Sequence, residues 1–397
     1  MAQLRRILYA VGPGDAVHAY REWREGRDVS SETSLTFSGQ FFDYCRGTGT
    51  EAIVLSAHPR REVVRDGLFL VENRPKRWAN GRGAVYHASQ LQYAASILWT
   101  ALRHRADAVV VDSGTTDWFL LAPLRMARVQ VVASLHNVLW PPGFRPFRLT
   151  RRILLHLDGW FWRHIAQATI CVSPECERQV RVVARRPRGG VFQYRAQFRR
   201  SFFASIAPPP PHEVRPFRVL FVGRVESNKG VFELLEMAER LETALPGRFE
   251  WHVCGEGGAA AELARHVRAG GLGRAVLLLG KIDRRALARE YGWAHVVVVP
   301  TRSDFCEGLP MVSAEAVLAG RPVISSSVNP AIDVLGEAFV AAQPDDVDSY
   351  VAAIRRLAED GEDYARRVAA CAAAQRPFVD SENGLSAALA RAIASLD

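Results

Sequence analysis

Residues 305–322 read FCEGLPMVSAEAVLAGRP. An apolar strand, Val296 to Val299, precedes this stretch, and the helical periodicity of its second half stops at Gly320, a residue suited to a helix C-cap. The pattern predicts a strand, a loop and a helix, with Glu307 in the loop and Glu315 inside the helix. Because the amides at a helix N-terminus favour negative charge, we expect an anionic ligand beside Glu307.

The two glutamates lie eight positions apart, which would separate them by about 12 Å along a helix axis. A retaining glycosidase needs its two carboxyl groups about 5 Å apart. The spacing therefore favours two acids that hold opposite ends of one long ligand.

Length and composition indicate a two-domain globular protein. The chain has 397 residues, of which 48% are hydrophobic and 23% are charged. The six cysteines include no Cys-x-x-Cys pair, which indicates reduced thiols in the cytosol and no zinc site. The N-terminal apolar run is too short for a signal peptide, and no stretch approaches the ~20 apolar residues of a membrane span. We therefore expect a cytoplasmic protein.

Charge is unevenly distributed along the chain, whose net charge is +9. Residues 1–200 contain 30 Lys and Arg against 16 Asp and Glu, a balance of +14; subtraction from the totals of 51 and 42 leaves 21 against 26, or −5, for residues 201–397. The basic half predicts an anionic partner: a membrane surface, an acidic acceptor or nucleic acid. Arg-rich coding bias is the alternative explanation.

Lysine is rare, with only Lys76, Lys229 and Lys281 in the chain, so each marks a candidate site for a compact ammonium.

Short apolar runs alternate with helical patterns along the chain, which predicts an α/β protein with parallel sheets and crossover helices. Two such sets, divided by a stiff Pro-rich linker at 207–216, predict Rossmann-like domains at 1–206 and 217–380. A last helix within 381–397 is expected to pack back on the first domain. The predicted strands are Ile7–Val11, Ala52–Ser56, Leu68–Val71, Ala108–Val111, Val129–Leu135, Thr169–Val172, Arg218–Val222, Phe249–Cys254, Ala275–Leu279, Val296–Val299 and Pro322–Ser325.

The loop after the first strand of the second domain, residues 221–230, brings two cations to the start of a helix. Gly223 lets the chain turn tightly, and Arg224 and Lys229 follow it. Two cations and helix-terminal amides suit a diphosphate and could neutralise a leaving group. The alternative is that both side chains are solvated on a surface loop.

Residues 252–260 contain a rival pattern. Gly255, Gly257 and Ala260 satisfy the dinucleotide fingerprint Gly-x-Gly-x-x-Gly/Ala after a strand. The acid that completes this fingerprint lies about 20 residues on, whereas Asp283 is 28 residues beyond Gly255. An NAD-dependent oxidoreductase is therefore a weaker alternative.

Three loops of the first domain also follow predicted strands, at the edge where a ligand in a two-sheet cleft would bind. A lone histidine is more often structural than catalytic, but the position of His136 at the end of a strand favours a functional role. Gly12 and Gly14 allow the backbone to approach a phosphate, and Ser113 offers a hydroxyl to a sugar.

The helical segment 149–165 mixes apolar and arginine residues. This composition is typical of an interfacial helix with a basic rim. It is also typical of a helix that contributes to the core, and the sequence favours that second interpretation.

At these residues the chain resembles the family-4 retaining nucleotide-sugar glycosyltransferases, which have the GT-B fold of two Rossmann-like domains whose parallel sheets face each other across a cleft. The first domain matches loosely, through Ser-Leu-His136 and Val172-Ser173-Pro174. The match through the second domain consists, in order, of Val-Gly-Arg-x4-Lys-Gly (222–230), Gly-x-Gly (255–257), Leu-Leu-Leu-Gly-Lys (277–281), Pro-Thr (300–301), Glu-x7-Glu (307–315) and Gly-Arg-Pro-Val-Ile (320–324).

The resemblance implies a role for each matched residue. Arg224 and Lys229 would hold the diphosphate of the donor, Glu315 would bond the ribose hydroxyls, and Glu307 would contact the transferred sugar beside His136. The implied catalytic residues are His136, Glu307, Arg224 and Lys229. The implied donor-binding residues are Gly223, Arg224, Lys229, Gly255, Lys281, Ile282, Glu307, Gly308, Leu309 and Glu315, with the base near Lys281 and Ile282. The acceptor side would include Gly12, Gly14 and Ser113.

The sequence therefore predicts a metal-independent, retaining glycosyltransferase. It would move a sugar from a UDP- or GDP-linked donor, without another cofactor, to an unidentified glycan, lipid-linked sugar or small molecule. A nucleotide-sugar epimerase or a phosphorylase of the same twin-domain fold is the first alternative. A nucleic-acid-binding protein, motivated by the basic half, is weaker, and we expect no nucleic-acid partner. Peripheral contact of that half with the inner face of an anionic membrane is a further hypothesis.

Overall fold

Buried β-branched strands and crossover helices build two main sheets in the computed structural model, which describes residues 4–396. The described residues fall into two compact units, each with its own sheet. Unit 1 comprises those of Met1–Leu139, Pro146–Gln197 and Ser381–Asp397, and unit 2 comprises Trp140–Arg145 and Phe198–Asp380.

The first nine strands and six helices of the chain belong to unit 1. The strands are β1 (Arg6–Val11), β2 (Ser34–Leu35), β3 (Glu51–Ser56), β4 (Glu62–Asp66), β5 (Phe69–Asn73), β6 (Ala108–Asp112), β7 (Gln130–Leu135), β8 (Ala168–Cys171) and β9 (Gly190–Gln193). The helices are α1 (Ala16–Arg24), α2 (Phe37–Thr48), α3 (Ala84–Arg103), α4 (Pro123–Met126), α5 (Leu149–His164) and α6 (Pro174–Ala184). The main sheet has the order β4-β5-β3-β1-β6-β7-β8-β9 and is parallel except for the β4–β5 pair. A short strand, β10 (Gln197–Phe198), lies where the chain passes from unit 1 to unit 2.

Unit 2 has a six-stranded, fully parallel sheet in the order β13-β12-β11-β14-β15-β16. Its strands are β11 (Phe217–Val222), β12 (Phe249–Cys254), β13 (Val276–Gly280), β14 (Val296–Val299), β15 (Val323–Ser326) and β16 (Phe339–Ala342). Its helices are α7 (Arg200–Ala204), α8 (Val231–Ala244), α9 (Ala260–Ala269), α10 (Arg284–Trp293), α11 (Met311–Leu318), α12 (Ile332–Leu335), α13 (Val347–Glu359) and α14 (Gly361–Ala374). Strand β14 consists of four buried valines, as expected for a strand that is covered on both faces.

The last helix, α15 (Leu385–Ala394), belongs to unit 1. It packs against α2 and β8. The amide of Leu385 donates to Gln40 Oε1 at 2.8 Å, and Arg391 donates to the carbonyl of Gln193 at 3.2 Å. The C-terminal segment therefore completes the unit that the N-terminal segment begins.

The predicted α/β fold with parallel sheets is confirmed, and all eleven predicted strands are present with ends shifted by at most two residues. Five strands are not among the predicted elements: β2, β4, β9, β10 and β16. In β4, which reads EVVRD, charged residues flank the two valines, because this strand lies at the edge of the sheet and does not bury a continuous apolar run.

The Pro-rich segment 207–216 forms no helix or strand, but it is bound to unit 2. Tyr364 donates to the carbonyl of Pro210 at 2.9 Å, and Arg215 donates to the carbonyl of Ala358 at 3.0 Å. The segment predicted as a stiff linker is thus held along its length by side chains and carbonyls of unit 2.

His295 joins this segment to the start of β11. Its Nδ1 accepts from the amide of Arg218 at 3.0 Å, its Nε2 lies 3.3 Å from the carbonyl of Pro211, and its ring stacks on Phe217 at 4.5 Å. A neutral imidazole with the proton on Nε2 satisfies both contacts. Burial lowers the pKa of His295 to about 4.

The low pKa predicts that acid destabilises unit 2. The unfolded chain binds a proton on His295 near pH 6.5 and the folded chain only near pH 4. The contribution of neutral His295 to the free energy of unfolding is therefore fully present above about pH 6.5. It is lost as the pH falls toward 4, which lowers the free energy of unfolding by about 2 kcal/mol between pH 7.5 and 5. Urea titrations at both pH values should show a smaller drop in His295→Gln. The exposed His266→Gln serves as the control, and an unchanged drop in His295→Gln would contradict this origin.

Gly230 is required by backbone packing at the start of α8. Its φ is +75°, and an added Cβ would lie 1.9 Å from the carbonyl oxygen of Pro300 at the end of β14. Only a residue without a side chain lets the loop after β11 approach the end of β14 this closely.

Substitution of Gly230 should therefore destabilise the protein for two reasons. Gly247→Ala shares the positive φ, at +70°, but its Cβ would meet nothing within 4 Å, so it bears only the conformational cost of about 1–2 kcal/mol. Gly230→Ala adds the clash with Pro300, and we expect it to lower the free energy of unfolding by about 1–3 kcal/mol more. Equal losses for the two variants in urea titrations would contradict the close approach.

Candidate active site

The strand order of unit 2 contains a topological switch point. Counted along the chain, the order across the sheet is 3-2-1-4-5-6, so the connections run in opposite directions from β11 and β14. In open parallel sheets of this order, ligands bind in the crevice that forms at the carboxyl ends of those two strands. The loops after Val222 and Val299 are therefore the expected ligand loops of unit 2.

Two contacts lock these loops together. The amide of Arg302 donates to the carbonyl of Asn228 at 3.1 Å, and the guanidinium of Arg302 forms an ion pair with Glu233 in the first turn of α8. Together with the close approach of Gly230, they hold the single 3₁₀ turn Ser227–Lys229 against the loop that follows β14.

An ion pair between Lys229 and Glu307 lies at this crevice. The two side chains are only 17% and 9% exposed. Thr301 donates to the second carboxylate oxygen of Glu307 at 2.7 Å. The ammonium of Lys229 lies 4.6 Å from the ring centroid of Phe305, and the guanidinium of Arg224 lies 5.7 Å from the same centroid. The structure thus brings together Lys229 and Glu307, and both Lys229 and Arg224 face one aromatic ring.

The ion pair leaves the ammonium of Lys229 able to exchange its anionic partner. A primary ammonium has three donors, and the contacts of Lys229 consist of one carboxylate and the face of Phe305. Arg224 is more exposed and pairs with Glu226 at 2.9 Å. A ligand with two adjacent negative groups could engage both cations and free the carboxylate of Glu307 to accept from a hydroxyl.

Helix α11 begins with amides that have no capping side chain. Its N-cap is Pro310, which offers no side-chain acceptor. Gly308 and Leu309 precede it in a buried turn directly after Glu307. The helix start therefore directs positive partial charge to the same loop that holds Glu307.

Glu315 lies inside α11, as predicted, and is buried. Tyr291 of α10 donates to its Oε2 at 2.6 Å. Burial, and then the adjacent Glu315 carboxylate, raises the pKa of Tyr291, so the tyrosine remains a donor. This hydrogen bond fixes one oxygen of Glu315.

The glycines of the Gly-x-Gly pattern have a packing role. A Cβ on Gly255 would lie 1.7 Å from the carbonyl oxygen of Gly223, and a Cβ on Gly257 would lie 2.2 Å from that of Val225. The loops after β11 and β12 are also joined by backbone hydrogen bonds, such as Val225 N to Glu256 O at 2.9 Å. Loop-to-loop packing therefore accounts for these glycines without a dinucleotide.

The predicted base-binding residues lie farther out along the sheet. Lys281 is exposed and Ile282 is half-buried, and both follow β13. Because β13 is two strands from β11, and neighbouring strands lie about 4.8 Å apart, these residues are about 10 Å from the switch point.

The predicted acceptor-side residues lie at the equivalent point of unit 1. Its strands β5, β3, β1, β6 and β7 repeat the 3-2-1-4-5 order, and Gly12, Gly14 and Ser113 follow β1 and β6. A Cβ on either glycine would meet nothing within 4 Å, so the packing of the chain does not require glycine there. The hydroxyl of Ser113 accepts from the amide of His136 at 2.9 Å.

His136 belongs to a buried hydrogen-bonded chain. Its Nε2 lies 2.7 Å from Asp112 Oδ1 and its Nδ1 lies 2.6 Å from the hydroxyl of Tyr194, while Tyr9 donates to Asp112 Oδ2 at 2.9 Å. Nδ1 can accept from Tyr194 when the proton is on Nε2, which lies 3.3 Å from Ser134 Oγ as well as beside Asp112. The ring also packs on Phe37 at 4.5 Å. Both ring nitrogens are therefore engaged within unit 1.

Several residues that shape these sites were not predicted. Thr301 and Phe305 precede Glu307 in the same loop, and Thr301 belongs to the matched Pro-Thr pair (300–301), but the sequence analysis assigns neither a role. Tyr291 and Tyr194 lie far from their partners in the sequence, so no local pattern indicates them.

Two kinds of feature are absent from the described part of the chain. Between residues 4 and 396, no group of three or more His, Cys, Asp or Glu side chains is arranged to hold a metal ion. Within the same range, no helix has both the length and the apolar character needed to cross a membrane.

Comparison with known proteins identifies a domain in unit 2. Residues 204–373 match the family model described as "Glycosyl transferases group 1", which supports a glycosyltransferase family. The chain is 31% identical over 157 residues to glycogen synthase from Mycobacterium tuberculosis, covering 39% of this chain and 37% of that protein. It is 25% identical over 271 residues to alpha-D-kanosaminyltransferase from Streptomyces kanamyceticus, covering 65% and 69%. The chain thus spans little more than a third of the glycogen synthases it matches.

Solved structures similar to the chain have the predicted fold. Sucrose-phosphate synthase from Thermosynechococcus elongatus has a TM-score of 0.72 at 18% identity, covering 99% of both chains. The Anabaena protein HepE in complex with UDP has a TM-score of 0.68 at 17% identity, covering 98% of this chain and 100% of that one. The fold is therefore GT-B.

The buried ion pair predicts a strong coupling between Lys229 and Glu307. Lys229→Met leaves a carboxylate that is 9% exposed without its cation, and we expect it to lower the free energy of unfolding by about 2–4 kcal/mol. Adding Glu307→Gln to that variant should recover part of the loss, with a coupling of about 1–3 kcal/mol. The exposed pair Arg355–Glu359 is the control, since Arg355→Met should cost less than about 1 kcal/mol. Additive losses for Lys229 and Glu307 in urea titrations would contradict the pairing.

Proposed function

We propose that the protein is a retaining glycosyltransferase that moves a sugar from a nucleotide-diphosphate sugar, of the family-4 kind that its motifs resemble. The observation that supports this most directly is the Lys229–Glu307 ion pair at the switch point of a unit that matches a glycosyltransferase family model. The pair combines a cation for a diphosphate with an acid for a sugar hydroxyl.

The donor diphosphate would bind Lys229, Arg224 and the amides of Gly308 and Leu309. Lys229 would then leave Glu307, whose carboxylate keeps its hydrogen bond from Thr301 and accepts from the sugar. As the bond between the sugar and the diphosphate breaks, negative charge grows on the departing phosphate. A donor that is already in place against that charge contributes about 3–4 kcal/mol to lowering the barrier.

The nucleoside would extend from the diphosphate in two directions. Glu315 has one oxygen fixed by Tyr291 and would accept from the ribose hydroxyls. Lys281 and Ile282, about 10 Å across the sheet, would contact the base. Gly223 and Gly255 would support the donor through the loop packing that they allow.

We propose UDP as the first nucleotide to test, with GDP as the alternative. The support is that the similar Anabaena structure contains UDP and that a similar trehalose-6-phosphate structure from E. coli contains UDP-2-fluoro glucose. We propose no other cofactor, since the charge stabilisation described above uses side chains and amides of the chain.

The acceptor would be bound by unit 1, through Gly12, Gly14, Ser113 and His136. Asp112 and Tyr194 contact the two ring nitrogens of His136. We therefore propose that His136 positions the transferred sugar and does not transfer a proton. The charge balance of +14 in residues 1–200 supports an acceptor that lies at an anionic surface. We propose that the protein is cytoplasmic and reaches this acceptor at the inner face of a membrane.

The donor site predicts selective loss of nucleotide binding. Lys229→Met removes a charge-assisted hydrogen bond and should weaken UDP binding about 10- to 100-fold in isothermal titration calorimetry, and Glu315→Ala should weaken it by a similar factor. Arg268→Ala, an exposed position on α9, is the control and should bind normally.

Circular dichroism checks that each variant is folded at the titration temperature. Unchanged UDP, GDP and ADP affinities in folded Lys229→Met would remove the donor-site assignment. No affinity of the native protein for any of the three nucleotides would remove the proposed function.

A further inference from the structure

Helix α5 presents an apolar ridge to solvent. Leu149, Ile153 and Trp160 are 70%, 51% and 42% exposed. Their spacings of four and seven residues place them within about 40° of one another around the helix, at 100° per residue. We call these three residues the α5 ridge. Phe147, directly before the helix, is also exposed.

The other face of α5 is part of the core of unit 1. Leu155, Phe161 and Trp162 are buried there, and so is Asp158, the one acidic residue of the helix. The prediction that this segment contributes to the core is therefore confirmed for its buried face. The ridge is not needed for packing within the described part of unit 1.

Arginines flank the α5 ridge. Arg152 and Arg163 lie along one side of it, and Arg148 precedes it. The loop after α6 adds exposed arginines at the C-terminal end of the helix, where the amide of Arg188 donates to the carbonyl of Trp162 at 2.9 Å. We call this set the arginine rim: Arg148, Arg152, Arg163, Arg185, Arg186 and Arg188.

Acidic groups do not neutralise the rim. Residues 146–190 contain nine arginines and three acids. Asp158 and Glu175 are buried, and Glu177 pairs with Arg181 on α6. Among residues 4–396, no carboxylate forms an ion pair with the side chain of Arg148 or Arg152 in the structure.

We propose that the α5 ridge and the arginine rim form the surface by which the protein binds an anionic lipid bilayer. The helix would lie in the plane of the interface, with Leu149, Ile153 and Trp160 among the headgroups and the arginines on lipid phosphates. This inference rests on the membrane contact of the proposed function and names the residues that make it.

A bilayer fits the surface better than a nucleic acid. The centre of the face consists of two large aliphatic side chains and an indole. Their transfer from water to an apolar phase has a favourable free energy. A nucleic-acid surface would place phosphates and base edges there, and base stacking would use Trp160 alone. The rim supplies charge to either partner, but the ridge supplies an apolar contact that lipid matches and a nucleic acid does not.

Vesicle flotation tests the proposal with the full chain. Native protein should float with vesicles of phosphatidylcholine and phosphatidylglycerol at low salt, should float less at high salt, and should remain behind with phosphatidylcholine alone. Ile153→Glu and Trp160→Ala should each lower the partition coefficient at least about tenfold. Leu102→Glu and Trp99→Ala are the matched controls, since these positions on α3 of the same unit are about as exposed.

A second pair of variants tests the rim. Arg148→Glu/Arg152→Glu reverses two charges beside the ridge and should lower partition at least about tenfold. Arg265→Glu/Arg268→Glu makes the same change in net charge at exposed positions of α9 in unit 2 and should have a much smaller effect. Equal losses in the two double variants would show a response to net charge and overturn the assignment to α5.

The outcomes separate this proposal from the proposed function. Native protein that does not float with anionic vesicles overturns both the membrane contact and the α5 surface, while UDP titration still decides the donor site. If the native protein floats and every α5 variant floats equally well, the α5 surface alone is overturned. Salt-sensitive binding of duplex DNA that the same variants abolish, without flotation, would assign the surface to nucleic acid instead. The α5 variants should bind UDP normally.

Discussion

The ion pair between Lys229 and Glu307 is the interaction on which the account of this protein depends. Both groups are largely removed from water. Separating two such charges is unfavourable unless each of them gains a new partner. In the chain alone they neutralise each other. A ligand that offers a diphosphate to the ammonium and a hydroxyl to the carboxylate would replace both partners at once, which makes the pair selective for a molecule with both groups.

The backbone of unit 2 brings this pair together. In the 3-2-1-4-5-6 order, the chain leaves β11 and β14 in opposite directions, which opens a crevice at the carboxyl ends of these two strands. The absence of a Cβ at Gly230 lets the loop after β11 approach the end of β14. Arg302 then joins them through Asn228 and Glu233. Unit 1 has the same switch in its strand order, but there the loops hold a buried chain of Tyr9, Asp112, His136 and Tyr194.

Local patterns in the sequence predict most of the fold, because a buried valine run such as β14 and a helix followed closely by a glycine, as α11 is by Gly320, have their signals within a few residues. Strand β4 lacks such a signal because its charged residues lie at a sheet edge. The prediction of Arg224, Lys229 and Glu307 as neighbours agrees with the geometry, whereas Phe305 and Tyr291 depend on contacts made only after folding. For α5 the sequence favours a core helix over an interfacial one, but periodicity alone does not say which face is covered, so only the structure shows the exposed ridge.

A crystal structure of the protein with UDP would test the central claim most directly. The account predicts a diphosphate oxygen within hydrogen-bond distance of Lys229 Nζ, with the ammonium moved away from Glu307 and Thr301 still bonded to that carboxylate. Density for UDP elsewhere, with the Lys229–Glu307 pair intact, would contradict it.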